Sequence, residues 1–578
     1  MSSPAPTTGH PPSVRHHRRA EVSERIHAVR SHPTQAAGWE QLARVLCDAG
    51  HVRMATAACL RAIGLDGSDP RLWWMLACLH EHAAHPDAAA QAGMEARSLN
   101  PPAGLSLKLA ALLSRLGCFH AAAQARAQAL AAGEVTAALL TELGTDLCAA
   151  GQVRDGLRVY AAALAHTPGF PPAQANLLFA MHLDESLSPA VIADAHFGWG
   201  RQTQSAILPA FDFQHWNRDA DRPLRIAFLA SDLRNHSIVH FLAPLLDGLN
   251  RAQFHITVFA NVTSPDETTE KLRARDLRWI DVAALDSPAI AARIHEERID
   301  ILIETGGHTS PKTLRVLACK PAPIQIAYLA YPDTTGLSTV DYLWTDSYTD
   351  PLPEATTRYS EQLLPLDPCL VCYRPPECDP GLRPRTDRLF TFGSFAQRQK
   401  LTPTVLHVWA GILRRAPHAR LLLKARAWRD PVIAGDVSAV FEAQGVDPAR
   451  IQFCPHAPST GSHLDLYNEV DVALDTWPYS GITTTCESLW MGVPVIAMPG
   501  ANQVSRIAGS ILQAAGMPQW VACDLDDYAR IALEATRHVP ERTAIRQRFR
   551  ESAVMDEQAF ARRAEASLRS IWSAFLGR

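Results

Sequence analysis

Two periodicities divide the chain. From about Ala36 to Leu183 the apolar residues, mostly alanine and leucine, recur at helical spacing, and Trp39-x-x-Leu42-Ala43 returns as Trp73-x-x-Leu76-Ala77, a period of 34 residues. Leu109-Ala110 with Gly117, then Leu143-Gly144 with Gly151, Tyr160, Ala163 and Pro168, continue the register, and Asn176-Leu177-Leu178 opens a further helix. The pattern predicts about four stacked helix pairs and a capping helix; an ordinary Ala-rich helical domain is the alternative. Beyond a linking segment the spacing changes to short β-rich runs separated by helical stretches such as Ser287–Arg298: Leu224–Ala230, Phe254–Ala260, Asp300–Glu304 and Ile324–Ala330, then Leu389–Phe395, Leu421–Lys424, Ile451–Cys454, Val470–Leu474 and Val493–Met498. Each series predicts a parallel, doubly wound sheet, with ligands at the carboxyl ends of its strands. A long helical tail is expected from about Glu541 to Phe575.

Composition narrows the class. With 578 residues, 47% apolar and 20% charged, the chain can bury several domain cores. A formal charge of −4 and a pI near 6.7 give no footprint for nucleic acid. No apolar run reaches the length of a membrane span and the N-terminus lacks a signal-peptide core, so a cytoplasmic location is expected, with neither nucleic acid nor membrane as partner. Residues 1–30 are expected to form a disordered tail, because Met1–Arg19 is rich in Pro, Ser and His and has little to bury. The 12 cysteines are scattered, as reduced packed thiols would be; Cys369-x-x-Cys372 with Cys378 is the one cluster with zinc-like spacing, and it lacks a fourth ligand. Asp219-Ala220-Asp221 is a formal D-x-D, but it precedes a strand, whereas metal-binding turns of that form follow one.

The most informative stretch is Asp475–Gly500, DTWPYSGITTTCESLWMGVPVIAMPG, which reads as strand end, turn, helix start and strand. Thr483, Thr484 and Thr485 open the helix, and free N–H groups with hydroxyls at a helix start attract anions. Glu487, one turn further in, is placed to accept hydrogen bonds from sugar hydroxyls. The competing reading is three threonines capping a core helix.

The match D-T-x-P-x-x-G-x-T-T-x-x-[DE]-x-L-W-x-G-x-P, carried by Asp475, Thr476, Pro478, Gly481, Thr483, Thr484, Glu487, Leu489, Trp490, Gly492 and Pro494, resembles the signature of the O-linked N-acetylglucosamine transferase and SPINDLY family. The 34-residue period is similarly that of tetratricopeptide repeats. The resemblance implies a repeat α-solenoid followed by a GT-B glycosyltransferase of two Rossmann-like domains, with the tail helix bracing the first. It gives a tail over 1–30, repeats over 31–190, and catalytic halves over 191–380 and 381–578. It also implies roles for single residues. Lys400, in Phe392–Lys400, would reach the diphosphate, with Gln397 on the nucleotide side; the family often has an aromatic residue where this chain has Gln399. Ala457 and His463 would meet the uracil base. Asp232 and His236, in the turn after the first strand, would face the sugar donor or help receive a proton. His196 is a candidate base at the seam, although Phe197 and Trp199 beside it fit a packing histidine. Leu329, with Gly306-Gly307 and Tyr331, would line the acceptor and sugar pocket.

The reaction implied is inverting transfer of N-acetylglucosamine from UDP-GlcNAc to Ser or Thr hydroxyls of a polypeptide held along the repeat groove. No cofactor and no metal are expected, since Lys400 and the Thr483/Thr484 helix start serve the diphosphate. Two rivals stay open: a SPINDLY-like O-fucosyltransferase using GDP-fucose, and a repeat scaffold whose catalytic half is inert.

Overall fold

A computed structural model describes residues 12–207, 211–384, 389–538 and 541–577. It divides into two compact units, one drawn from residues up to Ala150 with Arg426–Ala434, the other from Gly151–Ala425 with Gly435 onward.

The first unit is built of paired helices, Ala36–Asp48 with Val52–Leu65, Pro70–His82 with Pro86–Ser98, and Ala103–Leu116 with Phe119–Ala131, followed by Ala137–Ala149. The expected tetratricopeptide period extends into side-chain bonding. Trp39 Nε1 donates to the Pro33 carbonyl and Trp73 Nε1 to the Gly67 carbonyl, both at 2.9 Å, so donor and acceptor shift together by one repeat. Ala43, Ala77 and Ala110 are fully buried, because only a small side chain lets neighbouring helices approach at those positions. One expectation is corrected: a helix, Pro12–Ser31, occupies most of the proposed tail. Val22, Ile26 and Val29, spaced four and three apart, form a stripe packed with Leu42 and Leu46, which supplies the burial the composition of Met1–Arg19 lacked. Residues 1–11 lie outside the described ones. Arg426–Ala434 belongs to this unit through Arg429, whose Nε bonds Asp87 at 2.7 Å, and Asp430, which accepts from Ala121 N–H at 3.1 Å.

The second unit opens with helices Val153–His166, Pro171–Met181 and Pro189–Ala206 and continues into two parallel sheets. The first holds β1 (Leu224–Ala230), β2 (Phe254–Ala260), β3 (Arg278–Asp281), β4 (Ile301–Glu304), β5 (Ile324–Ala327), β6 (Tyr342–Thr345) and β7 (Gln362–Pro365) in the order 3-2-1-4-5-6-7. The second holds β8 (Phe390–Ser394), β9 (Ala419–Lys424), β10 (Ile451–Cys454), β11 (Val472–Leu474) and β12 (Val495–Ile496) in the order 10-9-8-11-12. Both orders reverse beside the first strand of the half, the doubly wound pattern, and their carboxyl ends carry the loops that matter below.

Helix Glu557–Leu576 leaves the second half and lays Phe560, Leu568, Ile571 and Trp572 into the core under β1, β2 and β6, with Leu245, Phe254 and Trp344. Trp344 Nε1 also donates to Ser567 Oγ at 3.0 Å. Each large apolar side chain so buried stabilises the fold by ~1.5–3 kcal/mol. The bracing helix is therefore as predicted, but the tail is two helices: Arg542–Arg550 stops, and Asp556 starts the next by accepting from Ala559 N–H at 2.9 Å.

Candidate functional site

β11 delivers Asp475 to the carboxyl edge of the second sheet, where the chain turns through Trp477–Gly481 into helix Thr483–Trp490. Asp475 Oδ1 accepts from Gly481 N–H at 2.8 Å, while its Oδ2 is buried without a hydrogen-bond partner. A Cβ on Gly481 would sit 2.3 Å from Thr484 Oγ1 and 3.1 Å from Asp475 Oδ1, so this turn closes only around glycine. Thr485 Oγ1 bonds back to the Gly481 carbonyl at 2.9 Å, and no side chain caps the helix start, which leaves the first-turn N–H groups beside the partly exposed Thr483 and Thr484.

Lys400 reaches the same turn from the loop after β8. Its Nζ donates to the Ser480 carbonyl at 3.1 Å and sits 4.0 Å from the centre of the Tyr479 ring. Burial pushes the Lys400 ammonium down and the Asp475 carboxyl up, and each is opposed by the other's charge. A small cavity lined by Gly393, Phe395, Ala396, Asp475 and Thr484 lies between the ends of β8 and β11. Glu487 is buried beneath it, with Oε2 2.9 Å from His463 Nε2 and 3.4 Å from the Tyr467 hydroxyl. Its carboxylate thus already has protein partners, and His463 has a buried Nδ1 with none. The structure brings Lys400, Thr484, Glu487 and His463 into one neighbourhood. Gln397 is exposed at its rim, and Ala457, half-buried after β10, does not line the cavity.

Across the first sheet the candidate residues separate. Asp232 and His236 occupy the loop after β1: Asp232 is partly buried and pairs with Arg234 at 3.5 Å, while His236 is exposed. Helix Val239–Gly248 follows, and His240 in it feels the Glu487 charge, so this loop faces the second half. Leu329, just past β5, holds a left-handed backbone (φ 88°) that costs a leucine ~1–3 kcal/mol and is fixed on both sides, by Tyr328 OH to the Leu370 carbonyl at 3.0 Å and Ala330 N–H to the Thr305 carbonyl at 3.1 Å. That turn is why the predicted strand Ile324–Ala330 ends at Ala327.

His196 requires a correction. It is wholly buried, and both ring nitrogens are committed: Nδ1 lies 2.7 Å from the Ile192 carbonyl and Nε2 2.6 Å from the Tyr331 hydroxyl. A carbonyl only accepts, so Nδ1 carries the proton and Tyr331 donates to Nε2. His182 Nε2, 3.2 Å from the same hydroxyl, then donates to it, which matches its unpartnered Nδ1. His308 packs edge-on against His196 at 4.9 Å and bonds the Thr335 carbonyl at 3.0 Å. Burial holds His196 neutral, its pKa lowered to about 4. No face of the imidazole is open to an acceptor hydroxyl; the residue positions Tyr331. The cost of this site's tight packing shows at Gly200, where a Cβ would meet the Gly336 carbonyl at 1.7 Å. A cleft of about 390 Å³, lined by Ala175, Asn176, Phe179, His308 and Thr309, opens beside the cluster.

Sequence reasoning missed Tyr479 under Lys400 and the roles of His182 and Asp475. A buried aromatic beside a motif lysine carries no periodic signal; Asp475 stood in the motif without an assigned partner. Among the described residues no group of three or more His, Cys, Asp or Glu is arranged to hold a metal, and Cys369 and Cys372 are buried while Cys378 is exposed. No helix among them is long and apolar enough to cross a membrane.

The profile named Glycosyl transferase family 41 matches residues 194–370 and 385–564. The chain is 34% identical over 412 residues to the Arabidopsis thaliana "Probable UDP-N-acetylglucosamine--peptide N-acetylglucosaminyltransferase SPINDLY", covering 69% of this chain and 45% of that protein. It is 31% identical over 371 residues to the similarly named SEC protein of the same plant, covering 61% and 37%. The chain spans less than half the length of these relatives. In three dimensions it is similar to a lysine-to-methionine mutant of the Thermobaculum terrenum O-GlcNAc transferase, with a TM-score of 0.73 and 29% identity over 96% of this chain and 99% of that one.

Proposed function

The chain belongs to glycosyl transferase family 41, and from that premise we propose that it transfers N-acetylglucosamine from UDP-GlcNAc to Ser or Thr hydroxyls of polypeptides, with inversion and without a metal. The observation that carries this reading is the convergence of Lys400, the uncapped Thr483–Trp490 helix start and the Asp475–Gly481 turn at one strand edge. The ammonium and the open N–H groups would stabilise the charge that grows on the leaving diphosphate, the largest single effect available to such a site. His463 and the Ala457 loop would meet the base, with Gln397 at the rim.

The acceptor hydroxyl would enter from the cleft beside His308 and displace UDP in one step. With His196 committed to Tyr331, the proton would go to the donor phosphate or to Asp232. His236, exposed in the turn after β1, would contact the donor, and Leu329 would line the sugar pocket from its constrained turn. The repeat helices would present an extended polypeptide.

Calorimetric titration of the full chain with UDP and with GDP tests the donor class. Saturable UDP binding with GDP at least tenfold weaker is expected. Preference for GDP would favour the fucose reading, and binding of neither would favour the inert scaffold.

A further inference from the structure

The geometry points to a second ligand site, at the amino ends of β1, β2 and β4, that takes a small molecule bearing a phosphate monoester. These ends lie on the sheet edge opposite the carboxyl-end loops described above, so the site is separate from the proposed donor pocket and does not depend on it. Arg225 in β1 and His255 in β2 are direct partners in the parallel register, and both are exposed. With His215, Arg222 and Arg298 they line a cavity of about 390 Å³, within the range of small-molecule pockets.

The charge balance of this cavity is one-sided. Its single lining carboxylate, Asp300, is already saturated: it accepts from Trp216 Nε1 at 2.7 Å, from both terminal nitrogens of Arg222 at 2.6 Å and from Arg225 N–H at 2.8 Å. Among the described residues no carboxylate pairs with the guanidinium of Arg225 or Arg298, and Arg222 Nε is buried without a partner. Arg225 meets only a carbonyl, that of Glu297, at 3.3 Å. With Arg222 paired to Asp300, the guanidinium groups of Arg225 and Arg298 are the cations of this wall that no carboxylate among the described residues pairs, and planar guanidinium groups match a phosphate's oxygens in pairs.

Arg298 adds an independent sign. It follows helix Ser287–Glu296 with a left-handed backbone (φ 55°), the position where glycine ends helices without cost. Here an arginine stands instead, and its guanidinium lies 5.2 Å from the Trp216 ring, which holds it on the cavity wall. The unfavoured backbone is kept with a side chain that faces the cavity.

The test is calorimetric titration of the full chain at fixed ionic strength with two probes, inorganic phosphate and glucose 6-phosphate. Saturable binding of about one equivalent is expected, at least tenfold weaker in Arg225→Ala/Arg298→Gly and unchanged in Lys400→Ala. Tighter binding of glucose 6-phosphate assigns a phosphorylated organic molecule; equal binding assigns phosphate as the recognised group. Both side chains are exposed, so the double variant should melt in one cooperative transition close to that of the parent, which shows that it is folded. No saturable binding by the parent, undiminished binding by the folded double variant, or loss in Lys400→Ala would overturn the proposal.

Discussion

Lys400 and Asp475 hold opposite ends of one peptide unit: the ammonium donates to the Ser480 carbonyl at 3.1 Å, and the carboxylate accepts from the Gly481 N–H at 2.8 Å. A cation and an anion drawn from the loops after two adjacent strands thus clamp the turn that starts the Thr483–Trp490 helix. The position of the lysine and the shape of the proposed phosphate cradle are set together.

Lys400→Ala should lower transfer at least a hundredfold, ~3 kcal/mol in the barrier, with the fold intact, since the residue sits in the loop after β8 and its ammonium makes one hydrogen bond, to the Ser480 carbonyl. Turnover near that of the parent, in a variant with an unchanged melting curve, would remove Lys400 from the mechanism.

Asp475→Asn keeps an acceptor for Gly481 N–H but removes the charge that offsets the desolvation of Lys400. The protonated amine is the working form, and it is lost as pH rises. The alkaline limb of the kcat/KM profile should therefore move down by about one pH unit in the variant. An unmoved limb would show that the two groups do not share their charge.

Much of this arrangement is legible in the sequence, and the rest is hidden for identifiable reasons. The repeat helices follow from a clean 34-residue period, and strands β1 and β2 from apolar runs of 7 residues each. β3, β6 and β7 did not stand out: Arg278–Asp281 mixes charge with a half-buried tryptophan, and Tyr342–Thr345 and Gln362–Pro365 are too short to show a period. Lys400 and Glu487 were readable because they sit in a motif. The commitment of His196 was not, because Ile192 lies one helical turn away but Tyr331, which decides the tautomer, is distant in the chain.

The buried histidine has a pH signature. Its folded pKa of about 4 lies below the unfolded value, so the unfolded chain takes up the proton first and the histidine's contribution is lost as pH falls from ~6.5 towards 4. His196→Gln can still accept from Tyr331 but does not titrate. The stability difference between parent and variant should shrink by ~2 kcal/mol between pH 7.5 and pH 5, measured by urea unfolding. A constant difference would mean that His196 is not held neutral by burial.

Trp572→Ala should destabilise the catalytic unit by ~3–5 kcal/mol, because the indole is almost wholly buried against the first sheet's core and its removal leaves a cavity. A shift in the denaturation midpoint of less than a third of that would show that the C-terminal helix is an appendage and not a brace.

The most direct test of the central claim is mass spectrometry of a Ser/Thr-containing acceptor polypeptide incubated with the full chain, EDTA and either UDP-GlcNAc or GDP-fucose. The account predicts one N-acetylhexosamine added per modified hydroxyl from UDP-GlcNAc, undiminished by the chelator and absent in Lys400→Ala. Fucose transfer from GDP-fucose with none from UDP-GlcNAc, or transfer that requires added Mg²⁺ or Mn²⁺, would contradict it.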